Sequence, residues 1–142
     1  MFGRINYRTG YSYSYFNFYE ESLSKYFERQ IGIPTFLEND AKALAYAEFT
    51  SGILKKEKDA LFINVDNGIG LGILIDNKLY YGKSGFSGEF GHMSMFDNDI
   101  ICKCGKKGCL ETEASGYALI RRVTDQINDG ATSSLTKKFK KN

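Results

Sequence analysis

The sequence predicts an α/β fold: a mixed sheet with flanking helices and a metal-bound loop. Three observations lead there. Apolar side chains recur at helical spacing in three places, and apolar strand-like runs joined by turn signals lie between them. The single histidine also lies within 18 positions of all three cysteines, a clustering that chance would rarely produce. With 142 residues, 42% of them apolar and 25% charged, the chain can build a core and is not a disordered segment.

The elements follow in chain order. Tyr7 to Tyr19 is aromatic-rich, and the alternation Tyr11-Ser12-Tyr13-Ser14-Tyr15 favours an extended segment with one buried face. Packing at a sheet edge or under a loop is its plainer reading, and lining a cleft the other. Asn17 is placed to cap a helix running to about Ile31, with Leu23, Tyr26, Phe27 and Ile31 on one face. Gly32 and Pro34 end that helix, and Ile33 to Glu38 reads as a short strand. Asn39 or Asp40 then starts a helical run through Glu48, where open N–H groups and the helix dipole favour a carboxylate. Ser51 to Asp59 is a polar connector.

Ala60 to Val65 predicts a largely buried strand, and Asp66 to Gly70 turns it into a second one, Leu71 to Ile75. Asp76-Asn77 is a tight turn before Lys78 to Tyr81, completing a hairpin pair or meander. Gly82 to Gly91 is a glycine- and serine-rich loop, and His92 to Phe96 a short strand. Glu113 to Ile127 reads as one amphipathic helix, and the basic end Thr136 to Asn142 as a solvated terminus.

Bulk properties exclude some classes. A formal net charge of +2 gives no general case for nucleic acid or membrane partners. No apolar run approaches the roughly 20 residues that span a bilayer, and the first residues carry no secretory pattern. Three cysteines fit poorly with a disulfide framework, so the expected compartment is the cytoplasm.

The chemistry concentrates between His92 and Glu111. The order is His92, nine residues, Cys102, one residue, Cys104, four residues, Cys109. Three thiolates and one imidazole complete the closed tetrahedral shell of a structural zinc site, with no open position for water. Gly105 and Gly108 permit the tight backbone between the last two cysteines, and Lys103, Lys106 and Lys107 can offset the thiolate charge. Glu89 precedes His92 by three residues and Glu111 follows Cys109 by two. Carboxylates fixed beside a metal can accept hydrogen bonds from vicinal hydroxyls, although spacing alone equally allows solvated surface glutamates. Gly68 and Gly70 could bring backbone N–H groups to a phosphate, but a hairpin needs glycine there in any case.

Together these residues resemble the ROK family of sugar kinases and sugar-sensing repressors. Three segments carry the resemblance: Glu38 to Ala43 (ENDAKA), Asn67 to Gly72 (NGIGLG), and Gly88 to His92 (GEFGH) leading into Cys102 to Glu111 (CKCGKKGCLE). The resemblance covers the chain from about Gly3 to the helix after Glu111. It implies a partial actin-like, ribonuclease H-like two-lobe fold, with residues 1–56 ending the first lobe and residues 57–142 starting the second. The chain is then expected to be a fragment, without the opening phosphate loop and without the later helices that hold adenosine.

By the same resemblance, Asn39, Glu89, His92 and Glu111 contact sugar hydroxyls, together with Asp40, the general base of the kinases. His92 would hold zinc with one nitrogen and sugar with the other. One departure matters: Asp66-Asn67 stands where the kinases have Gly-Thr facing the ATP phosphates, and a carboxylate there repels a triphosphate. The aromatic opening and Asn17-Phe18 also look more like the repressor branch. The expected function is therefore the effector-binding part of a sugar-responsive transcriptional repressor. Its ligand would be a sugar or sugar phosphate, its DNA contact would come from an upstream domain, and the longer protein would be a homo-oligomer. The first alternative is an ATP- and magnesium-dependent sugar kinase with Asp40 as base; the second is a zinc-stabilised interaction module without ligand.

Overall fold

The computed structural model describes residues 3–13 and 20–139. These residues divide into two compact units, one spanning 1–64 with 70–90, the other 65–69 with 91–142.

In the first unit, β1 (Ile5–Asn6) and β2 (Tyr11–Ser12) form a small antiparallel ladder pairing Ile5 with Ser12. The predicted extended opening is therefore a short hairpin as far as Tyr13, and its remainder lies outside the described residues. Helix α1 spans Leu23–Ile31 and starts later than expected. Its cap is Ser22, whose hydroxyl accepts from the Lys25 N–H at 3.4 Å, whereas Asn17 lies outside the described residues. Gly32, at φ 73°, closes the helix as predicted by donating its N–H to the Glu28 carbonyl at 2.8 Å.

Residues 33–38 join no helix or ladder among the described residues, which corrects the strand expectation. A strand needs a neighbour to take its N–H and C=O groups, and Phe36 is 87% exposed. Helix α2 (Asp40–Ser51) then begins where expected, with the Asn39 carboxamide oxygen accepting from the Lys42 N–H at 3.2 Å. Its low amphipathicity follows from its alanines: Ala41 and Ala45 are its buried apolar residues, and their small size admits a close partner.

That partner is the sheet formed by β3 (Ala60–Val65), β4 (Ile69–Ile75) and β5 (Lys78–Leu79), in that order. A Cβ on Gly70 would fall 2.5 Å from that of Ala41, and one on Gly72 2.2 Å from that of Ala45. Glycine in β4 thus answers alanine in α2, and helix and strand meet with no side chain between them. Strand β3 is less buried than predicted: Leu61, Ile63 and Val65 all face outward and stand exposed. An apolar run alone does not reveal whether both faces of a strand are covered. Asp76 and Asn77 take positive φ values of 50° and 60°, as a two-residue hairpin turn requires.

In the second unit, a 3-10 turn at Phe90–His92 replaces the start of the expected strand; only an isolated bridge, Ser94 with Cys109, remains of it. The single helix predicted from Glu113 is two helices, α3 (Glu111–Ala114) and α4 (Gly116–Asn128). Ser115 is extended between them, and its hydroxyl caps α4 by accepting from the Ala118 N–H at 3.2 Å. The Gly116 N–H meanwhile donates to the Asp66 carbonyl at 2.7 Å, a bond that a continuous helix would forbid. Glu113 ties the pieces together, accepting from Asn98 at 2.7 Å, Arg122 at 2.7 Å and Arg121 at 3.3 Å. The described part of the basic end is solvated as expected, with no buried residue, and forms a short helix, α5 (Thr136–Phe139). Among the described residues, no helix is long and apolar enough to cross a membrane.

Candidate functional site

The cysteine loop is built by backbone bonds that leave four donor atoms pointing at one place. The Cys102 N–H donates to the Lys106 carbonyl and the Gly105 N–H to the Cys102 carbonyl, both at 2.8 Å, which folds Cys102 and Cys104 onto one side of a tight turn. Gly108 has no alternative residue. Its φ is 70°, and a Cβ there would lie 1.9 Å from the Phe96 carbonyl oxygen. That close approach lets Met95 and Phe96 both donate to the Gly108 carbonyl, at 2.8 and 3.0 Å, and so pins Cys109 beside His92.

The ligand atoms of His92, Cys102, Cys104 and Cys109 all lie within 4.8 Å of one another. His92 Nδ1 is 3.4 Å from Cys102 Sγ, and Cys104 Sγ is 3.6 Å from Cys109 Sγ. The grouping predicted from spacing is therefore one cluster, able to hold a metal ion. Burial pushes the Cys109 thiol up to about 12 and raises that of Cys102 as well. Burial acts the same way on Cys104, but the backbone N–H of Lys106 and hydrogen bonds from the other two thiols outweigh it, so its pKa is lowered. The cluster thus presents one readily ionised sulfur and two that give up protons only to a strong competitor such as a cation.

Of the three lysines in the loop, Lys106 acts here. Its ammonium donates to the His92 carbonyl at 2.7 Å and helps to lower the Cys104 pKa. Lys107 instead pairs with Asp99 at 2.6 Å, and Lys103 lies over the Tyr117 ring at 4.6 Å.

Glu111, the first residue of α3, accepts the Ile69 N–H at 3.0 Å through Oε2. Gly68 is placed against it, since a Cβ there would meet that same oxygen at 2.6 Å. The glycines expected near a phosphate thus have packing partners: Glu111 for Gly68 and Ala41 for Gly70. Beside the metal loop is a hollow of about 320 Å³ whose walls include Ile100, Ile101, Tyr117, Cys102 and Glu111.

In the first unit, Asn39 is the cap of α2 and Asp40 its first residue. The Asn39 carboxamide N–H also reaches the Gly3 carbonyl at 3.2 Å. Glu89 ends the loop after Tyr81, and its charge acts on Lys42. Sequence reasoning passed over Lys42, Glu38 and Tyr81. Lys42 is only 3% exposed, and its ammonium donates to the Gly85 carbonyl at 2.5 Å. It also lies over the Tyr81 ring at 5.4 Å, and the Tyr81 hydroxyl donates to Glu38 at 2.7 Å. Desolvation lowers the Lys42 pKa, partly opposed by Glu38 and Glu89. Burial, then hydrogen bonding to Glu38, raises the Tyr81 pKa. The neighbours of Lys42 along the chain, alanines on either side, give no sign that its ammonium is buried.

Comparison with known proteins adds a consistent set of relatives. The profile of the ROK family matches residues 1–142. A xylose repressor of Bacillus spizizenii is 40% identical over 107 residues, 75% of this chain and 28% of its own length. A glucokinase of Streptomyces coelicolor is 39% identical over 109 residues, 77% of this chain and 34% of its own. Among solved structures, a ROK family glucokinase from Streptomyces griseus, in complex with glucose and AMPPNP, superposes with a TM-score of 0.81 at 33% identity, covering 90% of this chain and 42% of that one. The chain spans about a third of the length of the curated relatives it matches.

Proposed function

This chain belongs to the ROK family, and from that premise we propose that it is the zinc-containing, sugar-binding part of a sugar-responsive transcriptional repressor. Residues 1–56 would end one lobe and residues 57–142 begin the next, with the rest of the longer protein supplying the remaining cleft, the DNA-binding helices and the oligomer contacts. Asn39, Asp40, Glu89, His92 and Glu111 would bind the sugar hydroxyls, and the protein would work in the cytoplasm.

Zinc is supported by the donor distances. Zinc–sulfur bonds near 2.3 Å and zinc–nitrogen bonds near 2.0 Å imply tetrahedral edges of roughly 3.6–3.8 Å. The separations of 3.4 and 3.6 Å lie near those edges, and all four donor atoms stay within 4.8 Å of one another. His92 turns Nδ1 toward the sulfurs, so Nε2 is the nitrogen that would serve a sugar hydroxyl. The ion would fix that ring and, through Cys109, the start of α3 with Glu111.

The observation that carries the repressor reading is Asp66. It occupies the hairpin position that a triphosphate would approach, and its backbone is held by bonds to Gly68 and Gly116 at 3.0 and 2.7 Å. Its carboxylate is exposed, and a negative charge at that position repels phosphate unless a cation intervenes. The kinase reading keeps one support of its own, the 39% identity to a glucokinase. In that case ATP and Mg²⁺ would be needed, Asp40 would take the proton of the attacking hydroxyl, and the glycine turn at Gly68 and Gly70 would face the phosphates.

A thermal-shift panel of hexoses, N-acetylhexosamines and their phosphates on the full-length protein separates these readings. The proposal expects one sugar to raise the melting temperature and to change operator binding, with no ATP turnover. Turnover that disappears in Asp40→Asn would establish the kinase instead. No response to any sugar would leave the zinc-stabilised interaction module.

A further inference from the structure

Within the first unit, one buried side chain links two segments that the sequence places far apart. Lys42 sits on the first turn of α2, three residues after the Asn39 cap and two after Asp40. Its ammonium donates to the Gly85 carbonyl, in the middle of the loop that runs from Tyr81 to Glu89. Around that bond the loop is otherwise held by packing: Phe86 meets Tyr13 edge-on at 5.5 Å, and Gly88 lies against the Leu71 backbone. Gly82, Gly85 and Gly88 all adopt positive φ, at 68°, 86° and 80°, and no regular ladder is assigned across 82–89. Ser87 also bonds the Tyr80 and Tyr81 carbonyls, close to where the loop began.

The buried ammonium is itself held from several sides. Tyr81 offers its ring face, Glu38 bonds the Tyr81 hydroxyl, and Glu38 also accepts the Asn39 N–H at 2.8 Å. Tyr7 packs against Tyr81, with ring centroids 4.1 Å apart and the planes tilted by 33°. The charged and titratable groups that act on Lys42 are Glu38 and Glu89, one on each segment it joins. A lysine kept dry at 3% exposure is costly unless such partners compensate it. The arrangement therefore spends stability on a fixed distance between helix and loop. An apolar side chain at position 42 would pack as well and fix nothing.

The geometry points to Lys42 as a positioning residue, which clamps the 82–89 loop to the start of α2 and so holds Glu89 in place for a ligand that Asn39 and Asp40 also address. The ligand part rests on the sugar-site reading above; the clamp itself does not. Lys42 touches no ligand in this scheme, and the probe class is the neutral hexoses and N-acetylhexosamines already named.

The test uses the full-length protein with Lys42→Met and Lys42→Arg, and reads amide hydrogen exchange, melting temperature and sugar affinity. Lys42→Met should speed exchange across 82–89 at least tenfold and weaken the sugar by about tenfold or more. Its metal content should stay native and its melting temperature should fall by only a few degrees, because relief of a desolvated charge partly offsets the donor lost to the Gly85 carbonyl. Lys42→Arg, which keeps the charge and a donor, should recover part of the affinity. Unchanged loop exchange in Lys42→Met overturns the clamp, and unchanged affinity with a loosened loop overturns the positioning role. A general loss of stability that Arg does not relieve also overturns it, since that marks a purely structural lysine. If Lys42→Met gives no cooperative melt, Lys42→Gln is read by the same criteria. Absence of any sugar response in the native protein defeats the sugar site, while loop exchange still decides the clamp.

Discussion

His92 and Glu111 show how single atoms at this site are committed. His92 gives Nδ1 to the cysteine cluster, and Glu111 gives Oε2 to the Ile69 N–H. Each therefore offers its second polar atom in a direction already set by the first. Removing one thiolate should disturb both. Cys104→Ser is expected to release the metal, because a serine hydroxyl is a poor substitute for the sulfur that ionises most readily here. Metal content by elemental analysis should fall from one ion per chain to near zero, and sugar affinity should fall with it. A variant that lost the metal and kept full affinity would show that the ion holds the loop and nothing more. Glu111→Ala is expected to act on the neighbouring hairpin too, costing about 1–3 kcal/mol by leaving the Ile69 N–H unsatisfied. A denaturant melt unchanged from native would remove that role. At this scale the donor cluster was legible, because one histidine and three cysteines in one short stretch have few other uses. Lys42 was not, since nothing in a lysine's neighbours along the chain tells whether its ammonium reaches water.

At the level of elements, two local devices carry much of the geometry. Ser115 ends α3 and caps α4, and the extended residue at that point frees Gly116 to bond Asp66. Ser115→Ala should cost about 1 kcal/mol, seen as a fall of about 2–5 °C in melting temperature. A melt unchanged by the substitution would mean the hydroxyl does no capping in solution. The second device is the glycine–alanine contact between β4 and α2. Gly72→Val would drive a side chain into Ala45, where even a single Cβ stands at 2.2 Å. It should destabilise by about 1–3 kcal/mol or more, without changing metal content.

Elements governed by their own residues were readable: the Asn39 cap, the Gly32 stop, the Asp76-Asn77 turn and the limits of β3. Elements governed by distant partners were not. Residues 33–38 lack a ladder, β3 keeps an open face, and the Glu113 helix breaks where Asp66 needs a donor. The carboxylate positions fall between these cases. Their place beside the metal ligands was visible, but not that Glu111 spends one oxygen on a backbone N–H.

For the molecule as a whole, the division into two compact units makes metal removal a directed experiment. All four donor residues able to hold an ion belong to the unit of residues 65–69 and 91–142, as do the α3–α4 break, the Asp66 turn and the Glu113 ion pairs. A bound structural zinc contributes on the order of 10 kcal/mol in small metal domains, so its loss should fall hardest on that unit. The packing of α2 on β4 contains none of those donor residues and sets Ala41 and Ala45 against Gly70 and Gly72. Chelation should therefore speed amide exchange in residues 91–128 by orders of magnitude while residues 40–51 and 71–75 change little. A strong chelator followed by hydrogen exchange at fixed pH measures both regions in one sample, and re-addition of zinc should restore the slow pattern. Uniform loosening of both regions would mean that the metal supports the whole chain as one cooperative structure, and no loosening in 91–128 would mean that the thiols and His92 hold the loop without an ion. The sugar response is the second readout on the same sample. If zinc orients His92 and Glu111, the stabilising shift from sugar should vanish on chelation and return with zinc, while the packing of α2 stays native throughout.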